Sequence, residues 1–152
     1  MQSRHPELAD APPPNAFEVK ERIRWSDSDP MGIIYYGAYL RLMGVAESEM
    51  CRACGLPVDT LRLQRGVWIP RKALHLEFHS AAQLEEEVII QAWFGRIGNT
   101  AITMRFEFYR ASDRLHRASG SLTVVSVERD PMRPRAIPED VKSLLARFAA
   151  PR

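Results

Sequence analysis

Several common function classes leave no trace in this chain. Only two cysteines occur among 152 residues, too few for a disulfide framework. No apolar run approaches the roughly 18 residues that span a bilayer, so no membrane span is expected. Net charge is only +2, from 21 Lys and Arg against 19 Asp and Glu. Binders of duplex nucleic acid carry a concentrated basic face, and none is expected here. There is no Gly-x-Ser-x-Gly elbow and no evident Ser-His-Asp arrangement. Internal repeats are also missing. What is present is 45% hydrophobic residues, enough for one core at this length.

Proline is concentrated early, at Pro6, Pro12, Pro13 and Pro14. The polar stretch Met1 to Asn15 lacks the apolar core of a signal peptide and reads as a disordered lead-in. Residues 16–152 then form one domain, and a cytoplasmic location is expected. Cys51-Arg-Ala-Cys54 has redox or metal spacing. It falls at the end of an apolar helical stretch, and no second pair completes a zinc site. Two small residues near a helix C-terminus, reduced in the cytoplasm, is the reading taken. His75 and His79 share one strand face. A metal pair there is one reading and a solvated or subunit-facing strand face the other; no metal is expected.

Phe17 to Trp25 alternates as a strand, with Phe17, Ile23 and Trp25 in one register. Ser26 to Gly32 is loop-forming. A helix over about Tyr36–Cys54 follows from the stripe Tyr39, Leu42, Met43, Ala46, Met50 and Cys54. Leu40 and Val45 widen its apolar surface, so cover on more than one side is expected. Gly55 stops the helix and Pro57 follows. Asp59 to Gln64 reads as a short second helix. Leu74, Leu76 and Phe78 alternate with polar residues, Val88 to Phe94 is an apolar run, and Gly98-Asn99 turns the chain into Ile102, Met104, Phe106 and Phe108. Ser112-Asp113 makes a further turn into Leu115 to Val127, and Pro138 starts a C-terminal helix. One long helix against about five antiparallel strands is an α+β arrangement. One sheet covers only one side of such a helix, so a homo-oligomer is expected.

The informative stretch is Asp27-Ser-Asp29-Pro-Met-Gly32-Ile-Ile-Tyr-Tyr36-Gly-Ala-Tyr39. On residues alone, two carboxylates sit in a tight loop before a buried helix. A helix N-terminus stabilises acids through its dipole and its free N–H groups, so on residues alone one Asp caps and the other turns the loop. The whole 13-residue pattern, however, resembles the signature of the 4-hydroxybenzoyl-CoA thioesterase family, and Cys54-Gly-Leu-Pro57, Arg65-Gly66 and Arg135-Ala-Ile-Pro138 extend the likeness to about residues 17–140.

The resemblance implies a hotdog fold, a curved sheet wrapped around the helix, joined into dimers and often tetramers. It implies Asp29 as the catalytic carboxylate, with the Tyr36 backbone N–H, and Gly37 next, polarising the thioester carbonyl. Asp27, Gly32 and Gly37 support the loop. Tyr35, Tyr39, Met43, Gly44, Glu47 and Trp68 are candidates for the acyl pocket, and each of the aromatic and Met positions is equally consistent with core packing. Relatives often carry an acid where Gly44 stands and an Arg where Glu47 stands. Gly44 thus points to a wider pocket, and Glu47 to a second carboxylate or a salt-bridged one. Coenzyme A enters as part of the substrate, with no other cofactor; Arg96, Arg133 and Arg135 are candidates for its phosphates. A hotdog hydratase pairs a His with an acid across the helix, and no His lies near the helix in the sequence. The remaining alternative is a non-catalytic acyl-binding module.

Overall fold

The computed structural model describes residues 5–151. Strand β1 (Phe17–Arg22) leads through a loop to helix α1 (Ala38–Ala53). Strands β2 (Arg71–Phe78), β3 (Glu87–Ile97), β4 (Ala101–Arg110) and β5 (His116–Val125) follow. A two-stranded ribbon, β6 (Val127–Glu128) with β7 (Arg133–Pro134), and helix α2 (Glu139–Leu145) complete the chain. The five long strands make one antiparallel sheet in the order β1-β3-β4-β5-β2. The fold is therefore the expected α+β hotdog, with β2 at one sheet edge.

Period-2 alternation decides which sheet face meets α1. Ile90, Ala92 and Phe94 oppose Phe108, Phe106 and Met104, and those oppose Ala118, Gly120 and Leu122 on β5. All but Gly120 belong to the same buried core as Tyr39, Leu42, Met43, Ala46 and Met50 of the helix. Small residues at Ala92, Ala118 and Gly120 leave room for that helix; a side chain added at Gly120 would stand 3.5 Å from the Met43 thioether. Irregularities in register after Arg71, Phe94 and Phe108 bend the strands, as bulges do.

Three expectations need correction. β1 ends at Arg22, and Trp25–Asp27 forms a single 3-10 turn that leaves Trp25 exposed, because the Asp27 carboxylate takes the Arg24 N–H and closes the turn. Helix α1 begins at Ala38, not Tyr36, since the Ala38 N–H is already bonded to the Tyr35 carbonyl. The expected short second helix after Pro57 forms, its Thr60–Gln64 part as a π-helical turn. Residues 5–15 of the expected lead-in pack on the protein: Leu8 is fully buried, His5 stacks on His75 at 4.5 Å, and the Asn15 amide donates to the Arg147 and Ala149 carbonyls. Met1–Arg4, the start of that lead-in, and Arg152 lie outside the described residues. Within one subunit Leu40 is half exposed, so the second face of α1 has no cover. Among the described residues no helix is long and apolar enough to cross a membrane.

Gly55 ends α1 with positive φ; its N–H bonds the Arg52 carbonyl while the Leu56 N–H reaches back to Cys51. That is a Schellman stop, which puts its C′ residue in the left-handed region. Gly55→Ala is expected to cost about 1 kcal/mol and to lower the thermal midpoint by about 2–4 °C, readable by calorimetry.

Candidate functional site

The site loop is built by local chemistry. Asp29 accepts the Gly32 N–H on its carbonyl and the Met31 N–H on Oδ1, at 2.8 Å, in an Asx turn. Pro30 suits the second position of this turn, and Gly32 supplies the positive φ that closes it. The Asp29 N–H then bonds the Ile33 carbonyl, and the Ile34 N–H ties the returning strand to Ala82. Asp29 is half-buried. Its Oδ1 also receives the Ile33 N–H at 3.4 Å, whereas Oδ2 accepts no hydrogen bond among the described residues.

Asp27 faces the other way and is buried. Arg41 of α1 grips it with two hydrogen bonds, Nε at 2.7 Å and Nη2 at 2.6 Å, and the Arg24 N–H adds a third at 2.8 Å. Burial alone pushes the carboxyl up. The Arg41 hydrogen bonds, the Arg24 N–H and the two positive charges outweigh it, so Asp27 titrates below the usual 3.8. The two acids thus have different roles in the fold, one locked to the helix and one offered at the surface of the loop. Arg41 was not legible as a site residue, since a basic side chain on a helix reads as solvated.

Just before α1, the Tyr35 N–H bonds Asp27 O, and the Ala38, Tyr39 and Leu40 N–H groups bond back to Tyr35, Tyr36 and Gly37. Among the described residues this leaves the Tyr36 and Gly37 N–H groups without an acceptor, next to the positive end of the helix dipole. Gly37 also admits the Tyr35 ring, since a Cβ there would stand 2.6 Å from it.

Four of the six pocket candidates line two cavities, while Tyr35 lines neither and is exposed. Tyr36 and Tyr39 line one of about 330 Å³, with Ile34, Phe78 and His79. Gly44, Glu47 and Trp68 line another of about 480 Å³, walled by Leu61, Val67 and Ile69. Met43 packs in the core against the Gly120 side, and burial holds the Tyr39 hydroxyl up at about 12. A side chain at Gly44 would meet nothing within 4 Å. Glu47 is buried and held by both Arg71 nitrogens, at 2.9 and 2.6 Å, which is the salt-bridged alternative. Arg71 was not anticipated; it opens a strand 24 residues away in sequence.

The arginines proposed for phosphate are unequal. Arg133 pairs with Glu128, and Arg135 donates to the Arg65 and Gly66 carbonyls. Arg96 lines two surface clefts, with Lys142 in one and Lys72 in the other. Cys51 and Cys54 are free and buried, and burial, then nearby Glu47, raises the Cys51 thiol to about 12, so neither redox nor metal chemistry is favoured there. His75 and His79 separate, one against His5 and the other against His116. The expectation of no histidine near the helix is overturned: His79 borders the same cavity as Tyr39.

Asp27→Asn leaves Arg41 only its longer ion pair with Glu21, at 3.7 Å, and is expected to cost about 3 kcal/mol at neutral pH. Because the folded carboxyl titrates below 3.8, its stabilisation is present above that value and is lost as pH falls through the folded value. Urea unfolding of both proteins should therefore show the gap narrowing below about pH 4.

Residues 23–145 match the thioesterase-like superfamily. The chain is 28% identical over 132 residues to the acyl-CoA thioester hydrolase YbgC of Escherichia coli, covering 87% of this chain and 95% of that protein. It is 24% identical over 129 residues to the acyl-CoA thioesterase YbgC of Haemophilus influenzae, covering 85% and 93%. A thioesterase-superfamily structure from Jannaschia sp. CCS1 superposes with a TM-score of 0.85 at 24% identity, covering 95% of this chain and 100% of that one. A variant 4-hydroxybenzoyl-CoA thioesterase complexed with 4-hydroxybenzoyl-CoA superposes with a TM-score of 0.79 at 21% identity, covering 86% and 99%. With a helix-wrapping sheet and an Asp-x-Asp loop feeding two N–H groups that have no acceptor among the described residues, the chain belongs to the thioesterase-like superfamily and is a hotdog-fold thioester hydrolase.

Proposed function

We propose that this hydrolase cleaves an aromatic or short-to-medium-chain acyl-CoA to the free acid and coenzyme A, with Asp29 as its reacting carboxylate. The observation that carries the reading is the pairing of Asp29 Oδ2, which accepts no hydrogen bond among the described residues, with the unbonded N–H groups of Tyr36 and Gly37. One carboxylate oxygen is held while the other is offered, and two donors follow where a carbonyl oxygen gains negative charge. The carboxylate attacks the thioester carbon or activates the attacking water; the geometry serves both. No cofactor takes part, and coenzyme A arrives as substrate. The YbgC relatives, named for acyl-CoA hydrolysis, support the substrate class.

The working unit is at least a dimer in this reading. Edge strand β2 exposes Leu74 and Phe78, and an unpaired apolar edge favours joining with a second copy. Antiparallel pairing of two β2 strands sets the Phe78 end of one copy toward the Arg71 end of the other. The Tyr36 and Tyr39 cavity then meets the Gly44 and Trp68 cavity of the second copy, so that Tyr36, Glu47 and Trp68 frame one acyl site from two chains. Arg96, which has no ion pair among the described residues, is the best of the three phosphate candidates. A reducing compartment, the cytoplasm, suits the two buried thiols.

Asp29→Asn should retain the far-UV spectrum and lose at least about 10³-fold in kcat, within the range for removing an acid–base or nucleophilic group. A thiol-release assay over benzoyl, phenylacetyl and short to long aliphatic CoA thioesters reads it; no turnover by the wild type on any of them would instead indicate an acyl-binding module. Gly44→Glu fills open space and should shift the acyl preference toward smaller groups in the same panel. An unchanged profile removes Gly44 from the pocket.

A further inference from the structure

The cavity of about 480 Å³ is apolar in its walls and basic in its charged groups. Three arginines line it, Arg62, Arg71 and Arg129, against a single acid, Glu47. Two of the three are already neutralised. Arg62 donates Nε and Nη2 to Asp59 Oδ1, at 3.0 and 2.8 Å. Arg71 donates Nη1 and Nη2 to the buried Glu47 carboxylate. That grip takes only two of the five N–H groups of a guanidinium, and the Arg71 side chain is 52% exposed. Arg129 makes no ion pair among the described residues, since its neighbour Glu128 is bound to Arg133.

Arg129 is nonetheless held in place. The Trp68 N–H bonds the Val127 carbonyl at 3.3 Å, and the Val127 N–H bonds the Trp68 carbonyl at 2.9 Å. Strand β6, which ends one residue before Arg129, is therefore fixed to the tryptophan. The Arg129 guanidinium carbon lies 5.0 Å from the Trp68 ring centroid and that of Arg62 lies 5.5 Å from it, within the range of cation–π attraction. The indole thus gathers two cations at the wall of an apolar cavity. A hydrocarbon acyl group entering here covers Arg129 and the spare N–H groups of Arg71, and offers nothing for the water they lose. An acyl group that ends in a carboxylate replaces that water with charge-assisted hydrogen bonds, to which a planar guanidinium is matched.

We propose that the acyl group of the substrate carries a carboxylate at the end far from the thioester, bound by Arg129 beside Trp68 with Arg71 lining the same cavity. The substrate is then the coenzyme A monothioester of a dicarboxylic acid. The proposal rests on the reading above, in which this cavity receives the acyl group and, in the dimer, meets the Tyr36 and Tyr39 cavity of the second copy. Glu47 is no obstacle to a second anion, because both its oxygens are bound to Arg71. Space for the group is present at Gly44, where an added side chain would meet nothing within 4 Å. Arg129 takes no part in bond making or breaking; it selects which thioester is held.

The test measures thiol release from matched pairs of thioesters by the wild type, Arg129→Gln and Arg129→Lys. The pairs are hexanoyl-CoA against adipoyl-CoA, and benzoyl-CoA against its para-carboxy derivative. The wild type should favour the carboxylated member of a pair by about tenfold or more in kcat/KM, the size of one charge-assisted hydrogen bond. R129Q should erase most of that ratio through KM, as loss of uniform binding does, whereas R129K keeps the charge and should retain part of it. Added salt should shrink the wild-type ratio and leave that of R129Q where it is. The same pairs built on pantetheine, which lacks the nucleotide phosphates, should show the same preference. If R129Q lowers both members of a CoA pair alike and spares both on pantetheine, the arginine holds a phosphate of coenzyme A and the proposal falls. A wild type that turns over the neutral members as well as the carboxylated ones overturns the proposal and leaves Asp29 in place. Wild-type turnover absent on every thioester overturns the Asp29 reading and this one with it.

Discussion

The buried Asp27 carboxylate has to be neutralised where it sits, and Arg41 is the partner that does it. An ionised acid without that partner costs several kcal/mol at such burial. Because Arg41 belongs to α1 and Asp27 to the loop, the pair fixes the loop on the helix. The backbone then follows: the Asp27 carbonyl holds the Tyr35 N–H, the turn through Tyr36 and Gly37 is set, and Asp29 is placed two residues beyond an anchored point. The carboxylate proposed to react, Asp29, is thus positioned by a different carboxylate, the buried Asp27.

The sheet divides its labour between faces. Toward α1 it is apolar, with small residues where the helix comes closest. On the far face it buries Arg105, Glu107, Ser119 and Ser121, covered in part by residues 5–10, with Leu8 buried and Asp10 reaching Arg105. A polar sheet face is stable only with its groups bonded, and the Glu107, Ser119 and His116 cluster meets that condition. Its fourth member, His79, stands at the end of β2 where that far face meets the cavity edge. Edge strand, helix start and far-face cluster therefore converge on one end of the sheet.

The sequence was informative wherever the chemistry is local. The Asp-Pro-Met-Gly turn, the helix stripe from Tyr39 to Met50, the Gly55 stop and the alternation of Ile102, Met104, Phe106 and Phe108 each follow from neighbours within a turn or a pleat. It failed at the ends of elements. Trp25 continued the β1 alternation on paper, yet the chain turned because Asp27 had a backbone N–H to take and a distant guanidinium to meet. Tyr36 began the apolar helix on paper, yet its N–H stayed outside the ladder. The N-terminal prolines suggested a lead-in without contacts, and the docking of Leu8 and Asn15 on the far face and the C-terminal segment was invisible because it depends on residues some 130 positions away.

By itself, then, the sequence determined the α+β pattern, the loop with its two acids, and the resemblance that singled out Asp29. These depend on spacings of a few residues, which the backbone reads directly. Only the tertiary structure decided that Arg41 is what clamps Asp27, that Gly44 and Trp68 share a cavity apart from Tyr36 and Tyr39, and that His79 lines the same cavity as Tyr39 of the helix. Each of those facts is a meeting of segments far apart along the chain. Such meetings are set by how the sheet curves and which groups must be paired when buried, and no local spacing encodes them.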